Sequence, residues 1–253
     1  MSKTRIIMHG CNGAMGQVIS RLAAEDENVE IVAGLDIADK GLYDYPVYVN
    51  PVDCQSPADV IVDFSVAPAV DGLLDFALEK KLPLVLCTTG LTPEQLARVD
   101  EAAKVIPVLR SANMSLGVNM VFKLAAAAAQ VLAKSGYDIE IVEKHHNKKV
   151  DAPSGTALAI ADAMNEVLDH EYTYKLDRSQ VRERRDPKEI GIQSVRGGNI
   201  VGEHEVLFCG TDEVVEIRHT AYSKAIFGKG AIKAAVFLKD QAPEMYSMAD
   251  VIG

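Results

Sequence analysis

The chain reads TRIIMHGCNGAMG over Thr4–Gly16, a short apolar run that passes at once into three glycines spaced three residues apart. A second apolar run, Val29–Leu35, ends at Asp36. Between the two runs lie apolar residues at helical spacing: Met15, Val18, Ile19 and Leu22. A strand, a glycine turn, a helix and a second strand that ends in an acid predict a dinucleotide-binding βαβ unit, whose acid accepts hydrogen bonds from ribose hydroxyls.

The glycine turn departs from the G-x-G-x-x-G pattern because Asn12 occupies the second glycine position, and by itself it also fits a flavodoxin-like domain. The expected cofactor contacts are Gly10, Cys11, Asn12, Gly13, Ala14, Met15 and Asp36. Asp36 would repel the 2′-phosphate of NADPH, and the neighbouring Ile37 carries no charge to offset that repulsion. Lys40 is close enough in sequence to do so. The pattern therefore predicts that NADH is the preferred cofactor and that NADPH is still usable.

Strands and helices continue to alternate as far as residue 115. The predicted strands are Asp59–Phe64, Pro83–Cys87 and Pro107–Arg110, and the predicted helices are Ala69–Glu79 and Thr92–Lys104. This alternation predicts a Rossmann-like, doubly wound parallel sheet, which binds ligands at the carboxyl ends of its strands. Each segment there could also be an ordinary loop. The candidate cofactor contacts at these ends are Cys87, Thr88, Thr89, Ser111, Ala112, Asn113 and Met114.

A second informative stretch, EKHHNKKVDAPSGTA, occupies Glu143–Ala157 between a predicted strand, Tyr137–Val142, and a predicted helix, Thr156–Leu168. Functional residues often lie in such loops. The Asp-Ala-Pro segment is typical of a turn, and the serine after it is a candidate helix N-cap. A helix start offers free N–H donors and about half a positive charge, so it can bind a carboxylate. The alternative is a capped helix after a solvated basic loop. The candidate site residues are His145, His146, Lys149, Ser154, Gly155 and Thr156.

The second half of the chain has a different pattern, which predicts a second, α+β domain with a mixed sheet. Three of its strands are joined by short turns and are expected to form a meander next to Tyr137–Val142. The arginine-rich run Arg178–Glu189 is typical of a solvated loop. The other predicted elements are a helix at Leu116–Lys134, the strands Ile190–Arg196, Ile200–Cys209 and Glu213–Tyr222, and a last helix at Gly228–Lys239.

The composition is that of a soluble globular protein, with 48% hydrophobic and 25% charged residues among 253. The 36 acidic and 26 basic residues give a net charge of −10, which argues against nucleic-acid binding, so any anion site must be local. No apolar run reaches the roughly 20 residues of a membrane helix, and we expect neither a membrane partner nor a signal peptide. The four cysteines show no metal-ligand or disulfide spacing, which favours the cytoplasm.

The His-His stretch resembles the signature Glu-x-His-His-x-x-Lys-x-Asp-Ala-Pro-Ser-Gly-Thr-Ala of the dihydrodipicolinate reductase (4-hydroxy-tetrahydrodipicolinate reductase) family. The resemblance extends from Arg5 to Val251. It includes the glycine turn, Thr88–Gly90, Asn113–Asn119, Arg196–Gly198 and Gly202–His204. It implies reduction of a small dicarboxylate, 4-hydroxy-tetrahydrodipicolinate, by NADH or NADPH in lysine and diaminopimelate biosynthesis.

The resemblance also implies residue roles and an assembly. His145 is the expected acid/base and Lys149 the second proton donor, while His146, Ser154, Gly155 and Thr156 hold a substrate carboxylate. Residues 1–115, completed by 225–253, are the expected dinucleotide-binding domain, and 116–224 the substrate-binding and oligomerisation domain. The family pairs its second-domain sheets into homotetramers. The residues expected on the paired face are Val206, Phe208, Val214, Glu216 and Arg218.

Three alternatives stay open on the residues alone. Glu143, His145 and His146 could bind a metal, but neighbouring strand positions point to opposite faces and no third ligand follows at helical spacing, so we expect no metal. Another two-domain dehydrogenase, of the amino-acid or homoserine type, would leave the Asp-Ala-Pro-Ser-Gly-Thr segment without a role. A nicotinamide-binding regulator would need a nucleic-acid-binding element, and none is visible in the sequence.

Overall fold

The structure, a computed structural model, describes residues 3–111 and 113–253, which fold into two compact units. Unit 1 consists of Met1–Ser115 and Ala225–Gly253, and unit 2 consists of Leu116–Lys224. The strands are β1 (Thr4–His9), β2 (Val29–Leu35), β3 (Val47–Tyr48), β4 (Val60–Asp63), β5 (Leu84–Leu86), β6 (Val108–Arg110), β7 (Asp138–His145), β8 (Thr173–Lys175), β9 (Glu189–Arg196), β10 (Gly202–Cys209), β11 (Val214–Ala221) and β12 (Met245–Tyr246). The α-helices are α1 (Ala14–Ala24), α2 (Val70–Lys80), α3 (Pro93–Ala103), α4 (Leu116–Leu132), α5 (Gly155–Glu166), α6 (Ala225–Leu238) and α7 (Met248–Ile252).

Unit 1 is built on a seven-stranded parallel sheet with the strand order β12-β6-β5-β4-β1-β2-β3. Its inner strands are continuous apolar runs because helices cover both of their faces. Helices α2 and α3 contribute side chains to one core cluster, and α1 packs on α6. Helix α3 begins with a capping box, in which Thr92 is the N-cap and Pro93 takes the first helical position. The predicted doubly wound fold is confirmed.

The glycine turn after β1 has the conformation that its sequence predicts. Gly10 has a φ of +76°, and a Cβ at this residue would lie 2.6 Å from the carbonyl oxygen of Phe64. A Cβ on Gly16 would collide with the carbonyl oxygen of Gly10. Two of the three glycines are therefore required by backbone packing between β1, α1 and the end of β4. The third, Gly13, is the N-cap of α1.

Unit 2 contains a five-stranded mixed sheet with the order β11-β10-β7-β9-β8. Strand β7 pairs parallel with β9 and antiparallel with β10, so it lies between them. The predicted meander is therefore wrong, although the mixed sheet is confirmed. The turn after β9 does not close a hairpin, because its backbone groups bond to the end of β7. Gly197 N donates to the carbonyl of His145 at 2.9 Å, and Asn147 N donates to that of Gly198 at 3.2 Å.

The central strand β7 also runs three residues further than predicted, to His145. Its side chains alternate strictly between buried and half-buried positions. Glu143 and His145 therefore face the same way as the apolar residues Ile139 and Ile141, towards the interior of the unit. Within the His-His stretch, only the residues between His145 and the start of α5 at Gly155 form a loop.

The same alternation separates the two faces of the sheet along β10. Val206 and Phe208 are fully buried in the core cluster shared with α4 and α5, so their predicted place on a free face is wrong. The opposite side, which we call the outer face, carries Glu203, Glu205 and Leu207 on β10. Its neighbours on β7 and β9 include Val142 and Val195.

Helix α4 and the 3₁₀ turn after it form a 20-residue segment, Leu116–Ser135, that is long and apolar enough to cross a membrane by length and composition alone. The prediction that no apolar run reaches this length is therefore wrong. The alanines on both sides of Gln130 keep the whole segment apolar. Core helices of soluble proteins pass the same test. Val121, Ala125 and Ala129 of α4 are buried in the core of unit 2.

The arginine-rich run before β9 is more than a solvated loop. Arg185 donates to Asp138 and Glu140 and to the backbone carbonyls of Ile139 and Glu189. Arg178 forms an ion pair with Glu189. These contacts hold the run against the ends of β7 and β9. The amino-acid composition of the run does not indicate them.

Candidate active site

Glu143 is the centre of a polar network at the end of β7. Its side chain is fully buried and accepts hydrogen bonds from Arg196, at 2.7 Å from Nη1 and 2.6 Å from Nη2. The backbone N–H of Ser154 donates to it at 3.1 Å. Burial works to raise the pKa of this carboxyl, but Arg196 and the other donors hold it at about 2. Glu143 is therefore a carboxylate at neutral pH.

His145 is oriented by this carboxylate. Its Nδ1 lies 2.6 Å from Oε2 of Glu143. Because a carboxylate only accepts, Nδ1 carries a proton and Nε2 is the nitrogen that can exchange one. A Cβ on Gly202 would lie 3.1 Å from Nε2, so the glycine leaves space around that atom. Burial lowers the pKa of His145 and Glu143 opposes that effect, while the charges of Lys149 and Arg196 add to it.

The N-terminus of α5 is capped as predicted. Ser154 is the N-cap, and its hydroxyl accepts from the backbone N–H of Ala157 at 3.1 Å. The same hydroxyl lies 3.0 Å from Nε2 of His204, a buried ring in edge contact with His145. Burial, followed by the charge of His145, lowers the pKa of His204 to about 4, so this ring is neutral. The hydroxyl and the backbone N–H of Ser154 are both hydrogen-bonded to protein atoms. A direct contact between Ser154 and the substrate stays a prediction.

Gly155 and Thr156 form the first turn of α5. A Cβ on Gly155 would meet no atom within 4 Å, so the space in front of this residue is open. The ammonium of Lys149 lies 2.9 Å from Asp151, at an exposed fraction of 22% for the lysine and 56% for the aspartate. The pKa of Asp151 is lowered, first by Lys149 and also by the backbone N–H of Gly155. Asp151 therefore forms an ion pair with Lys149 four residues before the start of α5.

His146 follows the last residue of β7 and is half-buried. Its Nδ1 is buried without a hydrogen-bond partner among the described residues. Together with His145, Lys149 and the first turn of α5, it places four predicted site elements within one short segment of unit 2. This arrangement can bind an anion and can exchange a proton at Nε2 of His145.

Unit 1 has a cleft of about 800 Å³ at the carboxyl ends of its central strands. Four of the predicted cofactor residues line it: Gly10, Asn12, Gly13 and Asp36. The backbone N–H groups of Asn12 and Ile37 donate to the two oxygens of Asp36, each at 2.8 Å, which fixes the carboxylate at the rim. Lys40 lines the same cleft. Gly13 caps α1 without a side-chain hydrogen bond, so the helix start is open to an anion.

The other predicted cofactor residues are less directly placed. The Cys11 side chain is fully buried, and burial raises the pKa of its thiol to about 11. Ala14 and Met15 begin α1, and Cys87, Thr88 and Thr89 follow β5. After β6, the Ser111 hydroxyl donates to the carbonyl of Asn113, and Met114 is buried. Ala112 lies outside the described residues.

Models of one protein family match nearly the whole chain. The model described as dihydrodipicolinate reductase, N-terminus, matches residues 4–114, and the model described as dihydrodipicolinate reductase, C-terminus, matches residues 117–252. This chain belongs to the dihydrodipicolinate reductase family. Relatives named 4-hydroxy-tetrahydrodipicolinate reductase are 52% identical in Caldanaerobacter subterraneus subsp. tengcongensis and 43% identical in Clostridium novyi, each over 98% of both chains.

A solved structure has the same fold over the same length. It is a dipicolinate-bound dihydrodipicolinate reductase from Paenisporosarcina sp., 28% identical, with a TM-score of 0.82 and 97% of both chains covered. A probable dehydrogenase from Thermotoga maritima, 11% identical with a TM-score of 0.63, shares the fold alone; it covers 98% of this chain and 92% of its own. The resemblance to the reductase family stated on the sequence is confirmed.

Several residues of this candidate site were not found by sequence reasoning. Arg196 and His204 were named only as part of the family resemblance, and Glu143 only as part of that resemblance and as a possible metal ligand. Arg196 lies opposite His145 in the register of β7 and β9, and this pairing depends on the strand order. Within the described residues no group of three His, Cys, Asp or Glu side chains is arranged to hold a metal. Both oxygens of Glu143 are already bonded to Arg196.

Proposed function

We propose that this chain catalyses the reduction of 4-hydroxy-tetrahydrodipicolinate to tetrahydrodipicolinate with NADH or NADPH, in lysine and diaminopimelate biosynthesis. The observation that carries the proposal is the Glu143–His145–Arg196 network beside the capped start of α5, in a chain matched along its length by the reductase family. The reaction adds one hydride and one proton to the ring and releases one water. The bound cofactor supplies the hydride.

His145 is the proposed acid/base. Hydride delivery leaves negative charge on the ring, so a proton must come from a group held nearby. Glu143 keeps the Nδ1 proton in place and favours the protonated ring, whose Nε2–H can then be given to the substrate. Arg196 holds Glu143 ionised and is a positioning residue. Lys149 is the proposed second proton donor, and its charge stabilises the developing anion.

The start of α5 is the proposed carboxylate site, formed by His146, Ser154, Gly155 and Thr156. A substrate carboxylate would take the place that Asp151 has beside Lys149 and the N–H of Gly155, because both groups are suited to one anion. The open space before Gly155 supports this assignment. Asp151 then competes with the substrate, and binding requires its carboxylate to turn away.

The cleft of unit 1 is the proposed cofactor site. Its proposed pyrophosphate site is the start of α1, which has no side-chain cap, together with Gly10 and Gly13, and Asp36 is the proposed acceptor of the ribose hydroxyls. The other proposed contacts are Cys11, Asn12, Ala14, Met15, Cys87, Thr88, Thr89, Ser111, Ala112, Asn113 and Met114. Unit 1 is thus the proposed dinucleotide-binding domain, and unit 2 the proposed substrate-binding domain. We further propose that unit 2 assembles the chain into a homotetramer, which acts in the cytoplasm on this small dicarboxylate, without a nucleic-acid or membrane partner.

One assay tests the function directly. The purified protein should oxidise NADH and NADPH when the substrate is generated in situ from pyruvate and aspartate semialdehyde. His145→Gln and Lys149→Ala should each lower kcat by about two orders of magnitude while NADH still binds. Lys148→Ala is the matched control, because Lys148 is an exposed lysine of the same loop. Absence of substrate-dependent oxidation of either cofactor by wild type would overturn the function, and a wild-type rate in His145→Gln would overturn its role.

A further inference from the structure

A buried histidine–aspartate pair lies at the carboxyl ends of two central strands of unit 1, and nothing in the proposed mechanism uses it. His9 is the last residue of β1, and Asp63 is the last residue of β4, directly opposite it in the sheet. Nδ1 of His9 lies 2.7 Å from Oδ1 of Asp63. The sequence places Asp63 at a strand end where a ligand can bind, but it does not indicate the pairing with His9, which lies 54 positions away.

Asp63 places a buried negative charge beside His9. Asp63 is fully buried, and its Oδ2 has no hydrogen-bond partner among the described residues. Burial works to raise the pKa of Asp63, but its bond to His9, the charge of His9 and the hydroxyl groups of Ser65 and Thr88 lower it overall. An ionised carboxylate only accepts, so it fixes a proton on Nδ1 of His9.

His9 also borders the cofactor cleft. It lines the cleft together with Gly10 and Gly13, and 10% of its side chain is exposed. Since Nδ1 is bound to Asp63, Nε2 is the ring nitrogen that remains for a ligand. His9 directly precedes the glycine turn, whose helix start is where a dinucleotide pyrophosphate binds in this fold. An imidazolium at that position would offset part of the charge of the pyrophosphate.

We propose that His9 binds the cofactor as an imidazolium, held by Asp63, and that its Nε2–H donates a hydrogen bond to the pyrophosphate of NADH or NADPH. This inference rests on the proposed function of the cleft. It adds a cation to the glycine turn, where the signature residues supply only backbone N–H groups. It also links cofactor binding to pH, because the donor exists only in the protonated ring.

Two substitutions separate the two nitrogens of His9. His9→Asn keeps a group that can reach Asp63 but removes the Nε2 position and the charge. His9→Gln keeps a neutral donor near the Nε2 position. The control is His170→Asn, which changes an exposed histidine of unit 2 whose φ of +56° suits asparagine. Thermal melting tests whether each variant is folded. If His9→Asn is not folded, the Kd of His9→Gln tests the proposal.

The measurement is the Kd for NADH and for ADP-ribose by titration calorimetry between about pH 6.5 and 9.5. In wild type both affinities should fall as the pH rises. In His9→Asn both should be roughly ten- to a hundredfold weaker at the lower end and nearly independent of pH, as expected for the loss of a charged hydrogen bond. His9→Gln should be intermediate and equally flat. The other ionisable groups near the site are Asp36, Lys40, Asp63, Cys11 and Cys87, and all variants retain them.

The outcomes are distinct. If wild type binds NADH with a Kd independent of pH, or if His9→Asn binds as wild type does, the role of His9 is overturned and the reductase function stands. If NADH binding weakens but ADP-ribose binding does not, the contact is to the nicotinamide ring, and the pyrophosphate assignment is overturned. If wild type binds neither ligand, both this inference and the proposed cofactor site are overturned.

Discussion

The carboxylate of Glu143 raises the pKa of His145 relative to the value that burial alone would give. Glu143 is not itself expected to contact the substrate. Burial lowers the pKa of His145, and the charge and hydrogen bond of Glu143 are what oppose that effect. Arg196 in turn keeps Glu143 ionised. Glu143 lies between His145 and Arg196 and bonds to both. Removing its charge should leave the imidazolium of His145 and the guanidinium of Arg196 close together without a negative partner.

Glu143→Gln should therefore move the pH dependence of kcat to lower pH. The imidazolium of His145 is the proposed proton donor, so activity is lost as the pH rises through its pKa. Without the carboxylate that pKa falls further, and each unit of decrease removes about tenfold of the protonated form at neutral pH. Glu203→Gln is the control, since Glu203 pairs with Lys144 and Arg218 on the outer face. An unchanged pH–rate profile in Glu143→Gln would show that His145 does not act through this carboxylate.

We expect single residues to decide the choice between NADH and NADPH as well. Each oxygen of Asp36 accepts one backbone N–H, which leaves acceptor capacity for ribose hydroxyls. Ile37 is 88% exposed and offers no charge, whereas Lys40 lines the cleft. We expect a lower KM for NADH than for NADPH, and Lys40→Ala should raise the KM for NADPH more than that for NADH. Lys104→Ala, on an exposed lysine after α3, should change neither. Preference for NADPH in both wild type and Lys40→Ala would place the ribose pocket on other residues.

At the scale of elements, the sequence predicted correctly the features that depend only on residues close together in the chain. The glycine turn and the serine cap of α5 each depend on residues at most six positions apart, and both are present. The strand order of unit 2 was missed because it depends on which strand takes the central place. Short turns suggested a hairpin between β9 and β10, yet the turn bonds to β7 instead.

The same limit applies to the site. His145, His146, Lys149 and the start of α5 come from one continuous stretch, so the sequence brought them together. Arg196 and His204 come from two other strands, and their approach to Glu143 and Ser154 follows from the pairing of β7 with β9 and β10. When the strand order is unknown, the sequence does not distinguish an arginine that binds a buried carboxylate from an arginine that is exposed to solvent.

The arginine-rich run gives an element-scale prediction, because its members differ in ways that composition cannot show. Arg185 is 17% exposed in its side chain and bridges β7 to the start of β9, whereas Arg184 is exposed. Arg185→Ala should lower the free energy of unfolding by about 1.5–3 kcal/mol, as expected for hydrogen bonds to charged groups. Arg184→Ala should change it by less than about 0.5 kcal/mol. Urea unfolding followed by circular dichroism measures both, and equal midpoints for the two variants would contradict the bridging role.

At the scale of the whole molecule, the outer face of unit 2 is the surface that helices of the same unit do not cover. Leu207 lies at its centre, opposite Glu140 on β7 and Glu216 on β11. Val142 lies on the same face, and Val195 is 45% exposed there. A sheet face that mixes apolar and charged side chains in this way is suited to pairing with another copy of itself.

Light scattering should therefore give wild type a mass close to four times the 27.3 kDa of one chain at micromolar concentration. Leu207→Lys should reduce that mass, because it places a desolvated charge in the paired face. Within one chain the new lysine would lie between Glu140 and Glu216, where opposite charges across strands are favourable, so the subunit itself should stay folded. Val105→Lys, which changes a 56% exposed valine of unit 1, should leave the mass unchanged. A wild-type mass near 27.3 kDa would overturn the assembly, and an intact tetramer of Leu207→Lys would move its interface to another face.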